Sequence, residues 1–388
     1  MHLPNVVPEH VRGGLETFLM KKEGCPHYKT FPFNEESDDY DAVDQSDFLL
    51  DLCSHVKNYD TQTGSSFLPA LQPTKETLQQ LVECVYEAQE EELTRCFLQK
   101  VGNNLTSCSL TWEELRYFLQ HKIQQTTVDF RKTNIQCNIR EILPFLNRIK
   151  FKRVDRLLLL KMLHCCSVSD VQQEAAAVLL IVLQHKLDFT CRSLLDLTTN
   201  TDSEPLYLTT DDCRVTSRVI QRARSDTKIQ LILHDCEINT AGIYQLFPVL
   251  HAVQLCCDKS LLLQFLAHVR PEEAESLSRA LGEELDLSQT QLDPQVCRGL
   301  VLILEYSEGL TELDLSQCHL TDDSLDLLLP NLHKAQNIDF SDNNITDVGA
   351  LKIDNIVTLS NNIKTVRLFN NRIEFKPDLI ENARLEIW

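Results

Sequence analysis

The stretch Leu310-Thr311-Glu312-Leu313-Asp314-Leu315-Ser316-Gln317-Cys318-His319-Leu320 places its apolar residues in the order L-x-x-L-x-L-x-x-C-x-L. Leu313 and Leu315 alternate with period two, so both face one side of a short strand. Cys318 falls where the chain must leave that strand. A small side chain with hydrogen-bonding capacity there can satisfy backbone groups inside the bend. One strand and turn of this kind cannot bury its apolar face alone, so the pattern predicts neighbours.

Those neighbours are present. Leu285-Asp-Leu287-Ser-Gln-Thr290-Gln-Leu292 precedes it, and Ile338-Asp-Phe340-Ser-Asp-Asn343-Asn-Ile345 and Val366-Arg-Leu368-Phe-Asn-Asn371-Arg-Ile373 follow. Strand positions 285, 313, 338 and 366 are about 28, 25 and 28 residues apart, the period of units that each hold a helix. The intervening helices show as apolar stripes: Ile243, Leu246, Phe247 and Leu250; Val296, Leu300, Val301 and Leu304; Leu325, Leu328, Leu329 and Leu332.

Upstream the pattern loosens. Leu231-Ile-Leu233-His-Asp-Cys236-Glu-Ile238 fits it, and Val253-Gln-Leu255 opens a degraded unit. Leu206-Tyr-Leu208, with Asp211, Asp212, Cys213 and Val215, reads as a unit one residue longer. A weaker unit spans Val128-Asp-Phe130-Arg-Lys-Thr133-Asn-Ile135, followed by a helical stretch with Ile139, Ile142, Leu143 and Leu146. Leu157 to Leu160 and Ala175 to Leu183 read as buried helices among degenerate repeats. Before these, Leu78, Leu81, Val82, Val85, Tyr86, Leu93 and Phe97 share a helical face, and Thr111-x-x-Glu114 has capping-box spacing ahead of Trp112, Leu115, Phe118 and Leu119. Four segments follow: an irregular acidic stretch over 1–73, a helical segment over 74–125, degenerate repeats with buried helices over 126–203, and regular repeats over 204–388. Within the first, Glu35-Glu-Ser-Asp38-Asp39-Tyr40-Asp41 reads as a charged loop or a segment that docks on a basic partner, and Phe48, Leu49, Leu52 and Val56 as a short helix.

Composition narrows the function. The formal net charge of −20 disfavours nucleic acid and favours a basic partner. Fifteen cysteines without a C-x-x-C, behind an N-terminus with no apolar leader, fit a reducing compartment and predict a cytoplasmic protein. The longest apolar run, Ala175 to Leu183, is about half of what a membrane span needs. The sequons at Asn104 and Asn344 are then chance matches.

The strand-plus-helix units resemble leucine-rich repeats of the ribonuclease-inhibitor type. Leu81-Val-Glu-Cys84-Val85-Tyr86-Glu87-Ala88-Gln89-Glu90 resembles the helix that precedes the repeats in NACHT-type innate immune receptors, and the run from Leu310 to Asn371 is most similar to the large fish expansion of that family. The resemblance covers residues from about 75 to 388. It implies a horseshoe with strands on the concave side, and sensing or regulation in innate immune signalling. Such receptors carry a P-loop, G-x-x-x-x-G-K-[ST]. This chain has no Gly-Lys dipeptide, so no residue is carried over as a nucleotide ligand and no cofactor is expected.

Catalytic patterns are missing too. No H-E-x-x-H, G-x-S-x-G or G-x-G-x-x-G occurs, and His164-Cys165-Cys166 matches no zinc spacing. The candidate site is therefore the concave face, built from the residues that flank the core positions of each strand: Glu284 and Asp286, Glu312 and Asp314, Asn337 and Asp339, Thr365 and Arg367. The reading is an α/β leucine-rich-repeat solenoid behind a short all-helical segment. It is not an enzyme, binds no metal, small-molecule substrate or membrane, and recognises a protein partner, for which a basic surface is the expectation. The alternative is a free-standing inhibitor, scaffold or substrate receptor of the ribonuclease-inhibitor kind that binds a basic protein.

Overall fold

The structure is a computed structural model that describes residues 75–89, 91–121, 125–132, 139–168, 173–192, 204–223, 227–374 and 382–387. The acidic run at 35–41 and the helix expected around Phe48 to Val56 lie outside the described residues, as do Thr133 to Ile135. The chain divides into two compact units, residues 1–155 with 191–200, and residues 156–190 with 201–388.

In the first unit, α1 (Lys75–Ala88) and α2 (Glu91–Lys100) replace the single helical stripe read from Leu78 to Phe97. The chain breaks at Gln89, which adopts a left-handed φ of 53° that no helix interior accepts. The stripe is real, since Val82, Val85, Phe97 and Leu98 are all buried, but two helices share it. The expected capping box starts α3 (Trp112–Gln120): Thr111 Oγ1 accepts the Glu114 N–H at 3.3 Å, and the Glu114 carboxylate accepts the Thr111 N–H at 2.7 Å. Strand β1 (Thr126–Asp129) pairs in parallel with β2 (Ile149–Arg153), and Phe130 and Phe151 bring their rings within 4.7 Å beneath the pair. The helical stretch expected after β1 is two short 3-10 turns, Ile139–Glu141 and Leu143–Arg148.

The second unit opens with α4 (Arg156–Val168) and α5 (Gln173–Val182), apolar on nearly every side. They are not wholly buried: Leu157 is 50% exposed and Ile181 63%. Next come β3 (Lys186–Asp188), β4 (Leu206–Leu208), α6 (Thr210–Ala223), β5 (Ile229–Leu233), β6 (Cys236–Ile238), α7 (Thr240–Leu246), β7 (Val253–Cys257), α8 (Lys259–His268) and α9 (Pro271–Leu281). The parallel sheet here has the order β3-β5-β7. The segment read as a repeat strand, Leu206 to Leu208, is not in it. That segment pairs with β6, Leu206 opposite Cys236 and Leu208 opposite Ile238. The strand beside β5 is β3, with Leu187 opposite Leu231. Alternation identifies a strand but not its partner, and two alternating segments, Leu187-Asp-Phe189 and Leu206-Tyr-Leu208, compete for one place.

The regular part continues with β8 (Glu284–Asp286), α10 (Pro294–Tyr306), β9 (Leu310–Asp314), α11 (Asp322–Leu328), β10 (Ala335–Asp339), α12 (Asp347–Leu359), β11 (Thr365–Arg367) and β12 (Leu385–Glu386), forming one parallel sheet in sequential order. Leu285, Leu313, Ile338 and Val366 lie side by side in register and are all buried. Burying each such side chain stabilises by about 1.5–3 kcal/mol. Helices cover that side of the sheet, and the alternate residues are left on the other.

The strands β8, β9, β10 and β11 each lead into the same bend. Gln289, Gln317, Asp342 and Asn370 take φ values of 59°, 55°, 56° and 53° there, and the next residues, Thr290, Cys318, Asn343 and Asn371, turn inward as a column. Thr290 Oγ1 donates to Leu287 O at 2.6 Å and Cys318 Sγ to Leu287 O at 3.1 Å. Asn343 Nδ2 donates to Leu315 O at 2.8 Å, and Asn371 Nδ2 to Phe340 O at 2.8 Å. The last three bonds reach back to the preceding unit, so the column ties strand to strand. No helix among the described residues is long and apolar enough to cross a membrane.

Candidate partner-binding face

Parallel register arranges the predicted residues into two rows on the open side of the β8–β12 sheet. The first row runs Glu284, Glu312, Asn337, Thr365, and the second runs Asp286, Asp314, Asp339, Arg367, Glu386. All eight residues expected at the site are thus brought together. Glu284, Asp286, Glu312 and Arg367 are exposed, while Asp314, Asn337, Asp339 and Thr365 are half-buried.

The rows differ in what their side chains already do. In the second row each aspartate closes a local turn. Asp286 Oδ1 accepts the Ser288 N–H at 2.9 Å and its hydroxyl at 2.7 Å, and Asp314 Oδ1 does the same with Ser316 at 2.9 and 2.7 Å. Asp339 accepts the Ser341 N–H at 2.8 Å. The signal for this job is in the sequence as Asp-Leu-Ser and Asp-Phe-Ser, the pattern of an aspartate that bonds its own backbone two residues on.

Two cations also reach the second row. Lys259 Nζ, from the first turn of α8, sits 2.7 Å from Asp286 Oδ1 and donates to Ser288 as well. Arg367 lies 3.5 Å from Asp339 and 3.3 Å from Glu386. Partial burial works to raise the Asp286 carboxyl, but the bonds from Lys259 and Ser288 outweigh it and hold the group below the ordinary carboxylate value. Sequence reading missed Lys259 and Glu386. Lys259 belongs to a helix of an earlier unit, and β12 is only two residues long.

The first row is different. Glu284 and Glu312 stand directly opposite each other on neighbouring strands, and neither carboxylate takes a hydrogen bond or ion pair among the described residues. Asp314, two residues beyond Glu312, has no cation among them either. Parallel neighbours are roughly 4.8 Å apart, and like charges directly opposite each other repel and destabilise a sheet. Three uncompensated carboxylates are therefore bracketed by Lys259 on one side and Arg367 on the other. Among the described residues, Asn337 alone in the row has a side-chain hydrogen bond, from its Nδ2 to Thr311 O at 2.9 Å. The β3-β5-β7 sheet is not acidic in this way: its outward residues are Lys186, Gln230 and Gln254, then Asp188, Ile232 and Cys256.

Other candidate chemistry resolves into structural roles. His164 Nε2 bonds Asp212 Oδ1 at 2.7 Å, joining α4 to the capping acid of α6, which also accepts the Thr209 N–H and hydroxyl. Among the described residues no group of three or more His, Cys, Asp or Glu side chains is placed to hold a metal ion. Cys213 and Cys236 are buried, and burial pushes both thiols up to about 12, far from a nucleophilic thiolate at neutral pH. What the face offers is acceptor oxygens for ammonium and guanidinium groups. No protein-family model matches the chain, and neither does any curated protein.

Proposed function

We propose that the second unit is a leucine-rich-repeat solenoid whose concave side is the β8–β12 face, and that this face recognises a basic segment of a protein partner in innate immune signalling. The observation that carries the partner reading is the Glu284–Glu312 pair with Asp314 beside it. The pair is a like-charge contact without a cation among the described residues, and a lysine or arginine from outside relieves the repulsion. The bracketing pairs supply a precedent, since an ammonium and a guanidinium already sit in the second row. The solenoid reading rests on the shared bend, the inward column and the in-register strands. The immune assignment rests on the sequence resemblance alone. Without a P-loop among its residues, the chain's contribution is recognition, competition or autoinhibition rather than a nucleotide-driven switch.

The test is a titration of the full chain with a fluorescent peptide of alternating lysines, at low and high salt. Glu312→Lys with Asp314→Lys lowers affinity at least tenfold, and the wild-type affinity falls with salt. Equal binding by wild type and variant sinks the proposal, as does no binding by either.

A further inference from the structure

The first unit carries a surface of opposite sign. Strand β2 reads Ile149-Lys150-Phe151-Lys152-Arg153, with Ile149 and Phe151 buried and Lys150, Lys152 and Arg153 exposed. Alternation accounts for Lys150 and Lys152. A bulge accounts for Arg153: Phe151 pairs with Val128 but Arg153 with Asp129, so Lys152 is an extra residue in the ladder. Such a bulge turns a side chain that alternation would bury, and here three cations within four residues reach solvent. None of the three side chains makes a hydrogen bond or ion pair among the described residues. Two acids of the same unit are already engaged. Asp129 is held by Arg131 at 2.8 Å, and Glu141 accepts the Trp112 indole N–H at 3.2 Å. In a chain of net charge −20, an uncompensated basic strip is a local reversal of the field.

We propose that this strip docks an extended acidic polypeptide segment of a partner protein. Three features select that chemistry. Lys150 and Lys152 alternate along a strand, and the carboxylates of an extended acidic peptide repeat at the same spacing, about 6.6–7 Å for every second residue. Among the described residues β2 pairs only with β1, and a polypeptide can add as a strand to an unpaired sheet edge. Single-stranded nucleic acid, the other polyanion, is held by exposed aromatic rings as well as charge. Here the aromatic residues of the pair, Phe130 and Phe151, are 1% and 5% exposed and face the core.

The experiment is fluorescence anisotropy of a labelled heptapeptide with glutamate at alternate positions, titrated with the full chain at low ionic strength. Lys150→Glu with Lys152→Glu is expected to weaken binding at least tenfold. Lys150→Arg with Lys152→Arg retains it, which separates charge from folding. The exposed Lys364→Glu in the second unit leaves it unchanged. The proposal is overturned if the wild type does not bind, if the double glutamate variant binds as the wild type does, or if a single-stranded oligonucleotide of equal charge binds more tightly than the peptide.

Discussion

The side-chain Oδ1 of Asn343 accepts the backbone N–H of Cys318 at 3.0 Å, across 25 residues of chain. The same oxygen accepts the Leu320 N–H at 2.9 Å, while Nδ2 serves Leu315 O, Phe340 O and Ser341 O. One buried amide thus satisfies the bends of two successive units and holds the register that lines up the carboxylate rows.

Asn343→Ala strands those backbone groups in a buried bend, and each costs about 1–3 kcal/mol when unsatisfied. Water entering the cavity recovers part of that, so a net loss of roughly 3–4 kcal/mol is expected from urea unfolding. Cys318→Ala removes weaker sulfur bonds and loses about 1–2 kcal/mol. A smaller loss for Asn343 than for Cys318 would show that the column does not hold the register.

Gly299 on α10 packs against the end of α8 so closely that an added Cβ would stand 1.8 Å from Leu266 O. Backbone cannot yield as a flexible side chain does. Gly299→Ala should therefore destabilise by more than about 3 kcal/mol, although alanine is the better helix former by about 1 kcal/mol. A thermal melt that stays at or above the wild-type midpoint would contradict the close approach.

Cys213 and Cys236 should resist iodoacetamide at pH 8 in the native protein and react once it is unfolded in urea, because burial holds both thiols near 12. Mass spectrometry of the labelled peptides reads this directly. Rapid native labelling of either residue would place it at the surface.

Acid should unfold the first unit partly through Asp129. Burial works to raise this carboxyl, but the hydrogen bonds and charge of Arg131 win, so its folded value lies below the ordinary 3.8. A depressed carboxyl contributes its stability above the ordinary value and loses it as pH falls through the folded one. The urea midpoint should therefore hold from pH 7 to about 5 and drop below about 4. Asp129→Asn should cost roughly 1–3 kcal/mol at pH 7 and flatten the acid limb. An unchanged acid limb in that variant would assign the titration to other carboxylates.

The strands at 284–286, 310–314, 335–339 and 365–367 were legible because apolar residues alternate at 285 and 287, 313 and 315, 338 and 340, and 366 and 368, and the spacing repeats. The strands β2, β3 and β12 were not, because none of them is followed by the turn residue and spacing that repeat in the regular part. The candidate residues were legible as types at positions. Their occupation was not: Asp286 meets Lys259 from an earlier helix, and Arg367 meets Glu386 from a strand too short to read.

Sequence by itself determined which residues turn inward in the regular part and which polar residues share the opposite side, because side-chain direction follows locally from backbone period. Tertiary structure alone decided which strand lies beside which and which carboxylates keep no cation. Pairing and charge compensation join residues tens of positions apart, and local periodicity carries no information at that distance. Glu284 and Glu312 became a pair, and Leu206 to Leu208 left the main sheet, only when the chain closed on itself.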